Sequence, residues 1–196
     1  SSYMRRTTDF LGEALTKWVA GPVMTVHMFQ PCAVKISNQS FLIIYRNDIR
    51  EYEVDITDPT SESGWQSATK WPQLQTRRTD NPGCSKIGNY IVIAGGRDSL
   101  GEYLRSTEVL DLSTKSLVYA GDLNSGRFHF HMATITRDGQ QLLLAFGGST
   151  GSSKLNSVEQ FNPSNNTWTL APTTMMEARV FLGATVLSSK MVCPTN

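Results

Sequence analysis

Residues Leu142–Pro172 read LLLAFGGSTGSSKLNSVEQFNPSNNTWTLAP, and this stretch decides the fold because it has a partner. Residues Ile91–Leu123, IVIAGGRDSLGEYLRSTEVLDLSTKSLVYAGDL, follow the same grammar. Each copy has an apolar run ending in Gly-Gly and then a polar loop. A short strand carrying Glu follows, then a turn, then a strand opened by a large apolar residue. Gly95 and Gly147 stand 52 residues apart, and Glu108 and Glu159 stand 51 apart. A period near 50 residues signals a chain of like sheet units rather than one mixed core.

Each unit reads as four strands, a to d. In the clearest unit, strand a is His131 to Thr136 and strand b is Gln141 to Gly148, with Asp138-Gly139 turning between them. Asp-Gly is the favoured chemistry for a two-residue hairpin turn. Strand c is Ser157 to Asn162 and strand d is Thr167 to Pro172, joined by Pro163-Ser164-Asn165-Asn166. Strand b is almost wholly apolar, as a strand buried on both faces must be. The preceding unit places these strands at 83–87, 90–96, 106–112 and 116–123. A degenerate unit comes earlier, with strands at 31–36, 40–45 and 49–55, and with Arg46-Asn47 where the glycine pair belongs. Trp65 or Trp71 is its large strand-d residue. Residues 178–187 read as a further strand a, and 190–194 begin a strand b. Residues 16–24 read as a strand d, and 5–12 as a strand c or as a helical face.

The Gly-Gly at the end of strand b, the downstream Glu and the large residue before a Pro together resemble the kelch repeat. The resemblance covers residues 25–196, clearest in two units. It implies an all-β, kelch-type β-propeller of four-stranded antiparallel blades, with about four blades' worth of chain. The division is a partial blade at 1–24 (strands c and d), a degenerate blade at 25–76 and blades at 77–126 and 127–178. A partial blade at 179–196 supplies strands a and b. The two partial ends could join to close a four-bladed ring, which would remove exposed sheet edges. A fragment of a larger propeller is the other reading.

Composition narrows the function classes. The chain has 196 residues, 18 basic and 17 acidic, for a net charge of +1. That balance does not point to nucleic acid. No apolar run reaches the roughly 18–20 residues of a membrane span, so no membrane insertion is expected. The N-terminus lacks a starting Met, which fits a processed, trimmed or partial chain. Two N-x-Ser/Thr sequons, at Asn38 and Asn165, fall in turns and suit glycosylation of an extracellular protein. The three cysteines are Cys32, Cys84 and Cys193. Cys32 and Cys84 sit at like places in strand a and read as small buried residues on strands too far apart to bridge. Cys193 is the better candidate for pairing.

Motifs with chemical promise lack their context. Gly147-Gly148-Ser149-Thr150-Gly151 matches G-x-S-x-G, but a nucleophile elbow needs a strand–turn–helix, and a strand follows here. His129 and His131 could share a face, yet no third metal ligand is evident. The recurring Glu108 and Glu159 read as structural, and the tryptophans as packing between blades. No catalytic residue, metal site or cofactor is expected.

The kelch resemblance implies a partner-binding face made by the b–c loops and the lead-in to strand a. Carried over by position, its residues are Arg46, Asn47, Arg97, Asp98, Ser149 and Thr150 after strand b. The lead-in residues are Phe29, Asn81, His129 and Phe181. The expected function is a non-catalytic binding or scaffolding module for a protein, peptide or glycan. Two other readings stay open: a propeller enzyme acting on sugars or with a metal, and a substrate adaptor of an intracellular complex.

Overall fold

A computed structural model of the chain describes residues 9–11, 18–20, 28, 30–38, 40–53 and 70–183. Among the described residues thirteen strands form four antiparallel sheets, without a closed ring. β1 (Asp9–Leu11) and β2 (Trp18–Ala20) pair with each other, which settles the N-terminal ambiguity at residues 9–11 in favour of a strand. β3 (Cys32–Lys35), β4 (Ser40–Tyr45) and β5 (Asp48–Glu53) form a three-stranded sheet. β6 (Gly83–Ile87), β7 (Tyr90–Ala94), β8 (Thr107–Asp111) and β9 (Leu117–Ala120) form a complete blade. β10 (His131–Arg137), β11 (Gln140–Phe146), β12 (Val158–Asn162) and β13 (Thr167–Leu170) form the next. Each blade is a plain meander, with every strand hydrogen-bonded to its sequence neighbour. Residues 178–183 carry no strand, and the remainder of the expected C-terminal strands lies outside the described residues.

β7 shows why strand b is apolar throughout. Val92 and Ala94 join a core cluster with Leu143, Ala145, Phe161 and Trp168 of the following blade. Ile91 and Ile93 join another with Leu42, Ile44 and Trp71 of the preceding one. Alternate side chains thus enter different inter-blade cores, because successive residues of a strand point to opposite faces. Trp168 spans one such boundary, donating its indole N–H to Thr107 Oγ1 of the neighbouring blade at 2.9 Å. Trp71 plays the large-residue role in the degenerate blade, buried with its indole N–H on Glu51 Oε2 at 3.0 Å. Trp65 lies outside the described residues.

The glycine pair has a backbone cause. Gly95 and Gly96 have φ of +63° and +90°, and Gly147 and Gly148 have +59° and +94°. Side chains rarely adopt these values. A Cβ on Gly95 would also stand 2.5 Å from the Arg127 carbonyl oxygen of the connector pressed against it. In the degenerate blade Arg46 directly follows strand b, with φ +59°. There the loop shrinks to the two residues Arg46-Asn47, because Tyr45 pairs directly with Asp48.

Cys32 and Cys84 form a disulfide, with Cα atoms 6.0 Å apart. This corrects the expectation that neighbouring inner strands stand too far apart. The two cysteines are not at like register: Cys32 follows the left-handed residue Gln30 by two places, and Cys84 follows Asn81 by three. An offset of one residue reverses the face a side chain points to. The two sulfurs therefore face each other across the blade boundary. Cys193 lies outside the described residues.

Candidate functional site

The connectors between blades build the loop face, and two buried ion pairs hold them. Arg78 donates to the carbonyl oxygens of Gly95 and Ser106 at 2.8 and 3.0 Å, and its side chain pairs with Glu108 at 3.2 Å. Arg127 does the same one blade later, donating to the Gly147 carbonyl at 2.9 Å and pairing with Glu159. Each Glu also accepts from two backbone N–H groups of the same connector: Gln75 and Thr76 on Glu108, Asn124 and Ser125 on Glu159. Burial pushes both guanidinium groups down from their ordinary value, and the facing carboxylates oppose that. The backbone of the connector is meanwhile tied to the blade behind, with Gly96 N–H donating to the Arg127 carbonyl at 2.8 Å. Each connector is therefore riveted on both sides. The recurring Glu was legible in the sequence; its Arg partner was not, although TRRTD and SGRFH carry it.

The lead-in residue adopts left-handed backbone in each unit: Gln30 (φ +51°), Asn81 (+39°), His129 (+53°) and Phe181 (+54°). Such conformations cost about 1–3 kcal/mol each for residues other than glycine and gather where a structure serves a function. The lead-in of the degenerate blade is thus Gln30; Phe29, named from the sequence, lies outside the described residues. Gln30 Oε1 is buried and has no hydrogen-bond partner among the described residues.

Three of these lead-ins meet. Asn81 Nδ2 lies 3.0 Å from His129 Nδ1. The His129 ring stands 3.7 Å from that of Phe181 at an interplanar angle of 35°. On its other side Phe128 lies 4.1 Å away, and Tyr103 continues the row 5.0 Å beyond Phe128. The Arg97 guanidinium caps the row, 5.5 Å from the Tyr103 centroid and 5.9 Å from that of Phe128, while also pairing with Asp80 at 3.4 Å. Cation–ring contacts of this length are attractive. With Asn81 donating its amide N–H, Nδ1 accepts and the imidazole is neutral with its proton on Nε2. Burial holds the His129 imidazole below its ordinary value of 6.5; Asp80 opposes this and Arg97 reinforces it.

Beside the row is a hollow of about 310 Å³ lined by Phe128, His129, Ser149, Gly151, Ser152, Ser153, Lys154, Val180 and Phe181. Its walls are mainly apolar, with serine hydroxyls and one ammonium group. Phe181 is 66% exposed, unusual for a large apolar side chain.

The structure therefore brings together Asn81, Arg97, His129, Ser149 and Phe181 from the expected set. Ser149 joins through the backbone, exchanging two hydrogen bonds with Phe128 at 3.0 and 3.1 Å. Asp98 instead shapes its own loop, accepting from the N–H groups of Leu100 and Glu102 at 2.8 and 2.9 Å. The carbonyls of Arg46 and Asn47 bind the connector N–H groups of Arg78 and Leu74, away from the row. Thr150 Oγ1 contacts Ser152 and Ser153 within its loop. Tyr103 and Phe128 were not foreseen. Ser149 lies in a loop running from β11 to β12, so the G-x-S-x-G match has no helix behind it. His131 faces a different space, a cavity of about 440 Å³ along the inner strands that also borders Cys32, Cys84, Lys35 and Lys86.

The kelch motif family model matches residues 78–116, which hold β6 to β8, and 139–175, which hold β11 to β13. Kelch-like protein 36 of Mus musculus is 26% identical over 162 residues, covering 77% of this chain and 24% of that protein. Kelch-like protein 36 of Bos taurus is 28% identical over 141 residues, covering 67% of this chain and 22% of its own length. The chain thus spans about a quarter of the length of the curated relatives it matches. Among solved structures, that of YjhT superposes with a TM-score of 0.62 at 13% identity, over 82% of this chain and 56% of the other, and this likeness concerns the fold alone. No helix among the described residues is long and apolar enough to cross a membrane. Repeated glycine pairs, meander blades and two matched motifs thus identify kelch repeats within residues 78–116 and 139–175, on a fold similar to that of YjhT.

Proposed function

We propose that the chain is a non-catalytic binding module that holds a protein segment on its loop face, with the Arg97–Tyr103–Phe128–His129–Phe181 row and its adjoining hollow as the contact surface. The observation that carries this reading is the row itself. Five side chains from three separate connecting segments stack on one face, two of them, His129 and Phe181, in left-handed backbone. Aromatic and arginine side chains dominate binding energy at protein contacts. Their ring faces and the apolar hollow offer buried area, while Lys154, the serines and the His129 Nε2–H offer direction. The kelch-like relatives support the protein-binding reading. Nothing in the row supplies a base beside a nucleophile, so the reading needs no bond-making step.

Peptides selected from a random display library on the whole protein provide the test. Their affinity is expected to fall by about thirtyfold or more in Arg97→Ala or Phe181→Ala, as for truncated hot-spot residues. It is expected to hold in Tyr119→Ala, on the outer strand β9. Loss only in the Tyr119 variant, or equal affinity in all, would overturn the reading.

A further inference from the structure

Asn165 occupies the turn between β12 and β13 and is exposed. Thr167 Oγ1 donates to Asn165 Oδ1 at 2.8 Å, folding the Asn-Asn-Thr sequon into one compact turn. That leaves the amide Nδ2, the atom that takes a sugar, without a hydrogen bond among the described residues. The turn is fixed to the neighbouring blade, since Gly121 N–H donates to the Asn166 carbonyl at 2.7 Å. Beneath it lies a hollow of about 140 Å³ lined by Tyr90, Val109, Val118, Phe161, Pro163 and Asn166. Tyr90 and Val118 are 43% and 50% exposed, so an apolar patch borders the sequon on the outer rim. Asn38 offers no such setting: Ser40 of its sequon is buried, with its hydroxyl 2.8 Å from that of Ser37.

An independent feature bears on the compartment. Disulfides form and persist where the surroundings oxidise thiols, and Cys32 and Cys84 are joined across a blade boundary.

We propose that Asn165 carries an N-linked glycan whose first sugar rests over the hollow beside Tyr90, Val118 and Pro163, on a chain folded in an oxidising secretory compartment. In the attachment step the Asn165 Nδ2 attacks the anomeric carbon of a lipid-diphosphate-linked oligosaccharide. The C–N bond forms, the C–O bond to the diphosphate breaks, and Nδ2 loses one proton. The apolar face of the sugar ring then covers the Tyr90 ring, as bulky surface glycans can shield exposed apolar groups. The site is on the rim, away from the Phe181 row, and stands independently of the loop-face function.

The native protein, unreduced, is digested with peptide-N-glycosidase in heavy-oxygen water and mapped by mass spectrometry. The expected result is Asn165 converted to labelled Asp, with Cys32 and Cys84 recovered as one linked peptide pair. Unmodified Asn165 overturns the site, and free thiols at both cysteines overturn the compartment. Hydroxyl-radical footprinting before and after deglycosylation reads the cover. Tyr90 labelling is expected to rise on sugar removal while that of Tyr119 holds; an unchanged Tyr90 overturns the covering role.

Discussion

Arg127 and Glu159 form an ion pair with both side chains fully enclosed, and Arg78 and Glu108 repeat it one blade earlier. Removing one member leaves the other charged and buried. Glu159→Ala is therefore expected to cost about 3–5 kcal/mol, the usual penalty for breaking such a pair. Replacing both together, Arg127→Met with Glu159→Leu, is expected to cost less, because no uncompensated charge stays behind. Urea unfolding of the three proteins checks this; a double variant worse than Glu159→Ala would contradict it.

The glycines separate two effects. Gly139 has φ +76° and open space around it, so Gly139→Ala meets only backbone strain of about 1–2 kcal/mol. Gly95→Ala meets similar strain and the Arg127 carbonyl oxygen besides. It is expected to be the more destabilising of the two in thermal unfolding. Equal losses would show that the connector moves aside at no cost.

The Cys32–Cys84 bond ties the degenerate blade to the next. Reduction, or Cys84→Ser, is expected to lower stability by about 2–5 kcal/mol, the range for a native disulfide in a small secreted domain. Unfolding curves with and without reductant measure this, and coincident curves would contradict it.

His129 gives a pH signature. Its folded-state value is lowered from 6.5, with burial as the first cause. A histidine held neutral in the fold contributes stability that is present above its unfolded value. That contribution is lost as the pH falls past 6.5 and through the lower folded value. Peptide binding at the row is expected to weaken over the same acid window. NMR titration of the His129 ring is expected to give a value below 6.5, moved further down in Asp80→Asn and back up in Arg97→Ala. A value at or above 6.5 in the unaltered protein would contradict the burial.

Much of the fold was legible because the repeat wrote it several times. Asp138-Gly139, with φ of +52° and +76°, turns where hairpin chemistry placed it, and the strands of the two complete blades fall within two or three residues of their expected ends. The site was legible only in part. Asn81, His129 and Phe181 were found because the repeat marks the lead-in position. Tyr103 and Phe128 were missed because their meeting depends on how far a twelve-residue b–c loop folds back, from Gly95 to Ser106, which no period encodes. Arg78 and Arg127 recur at 49 residues rather than 51 or 52, and that offset from the glycine and glutamate period hid them. The Cys32–Cys84 bond turned on a single-residue offset between inner strands, finer than alignment by motif resolves.

Amide hydrogen exchange of the whole protein, with and without a peptide selected on it, locates the contact surface. Slowed exchange is expected at Arg97–Tyr103, Phe128–Phe130 and Ser149–Lys154, with little change at the outer strands Leu117–Ala120 and Thr167–Leu170. Protection confined to those outer strands, with none around Phe128 and His129, would contradict partner binding on the loop face.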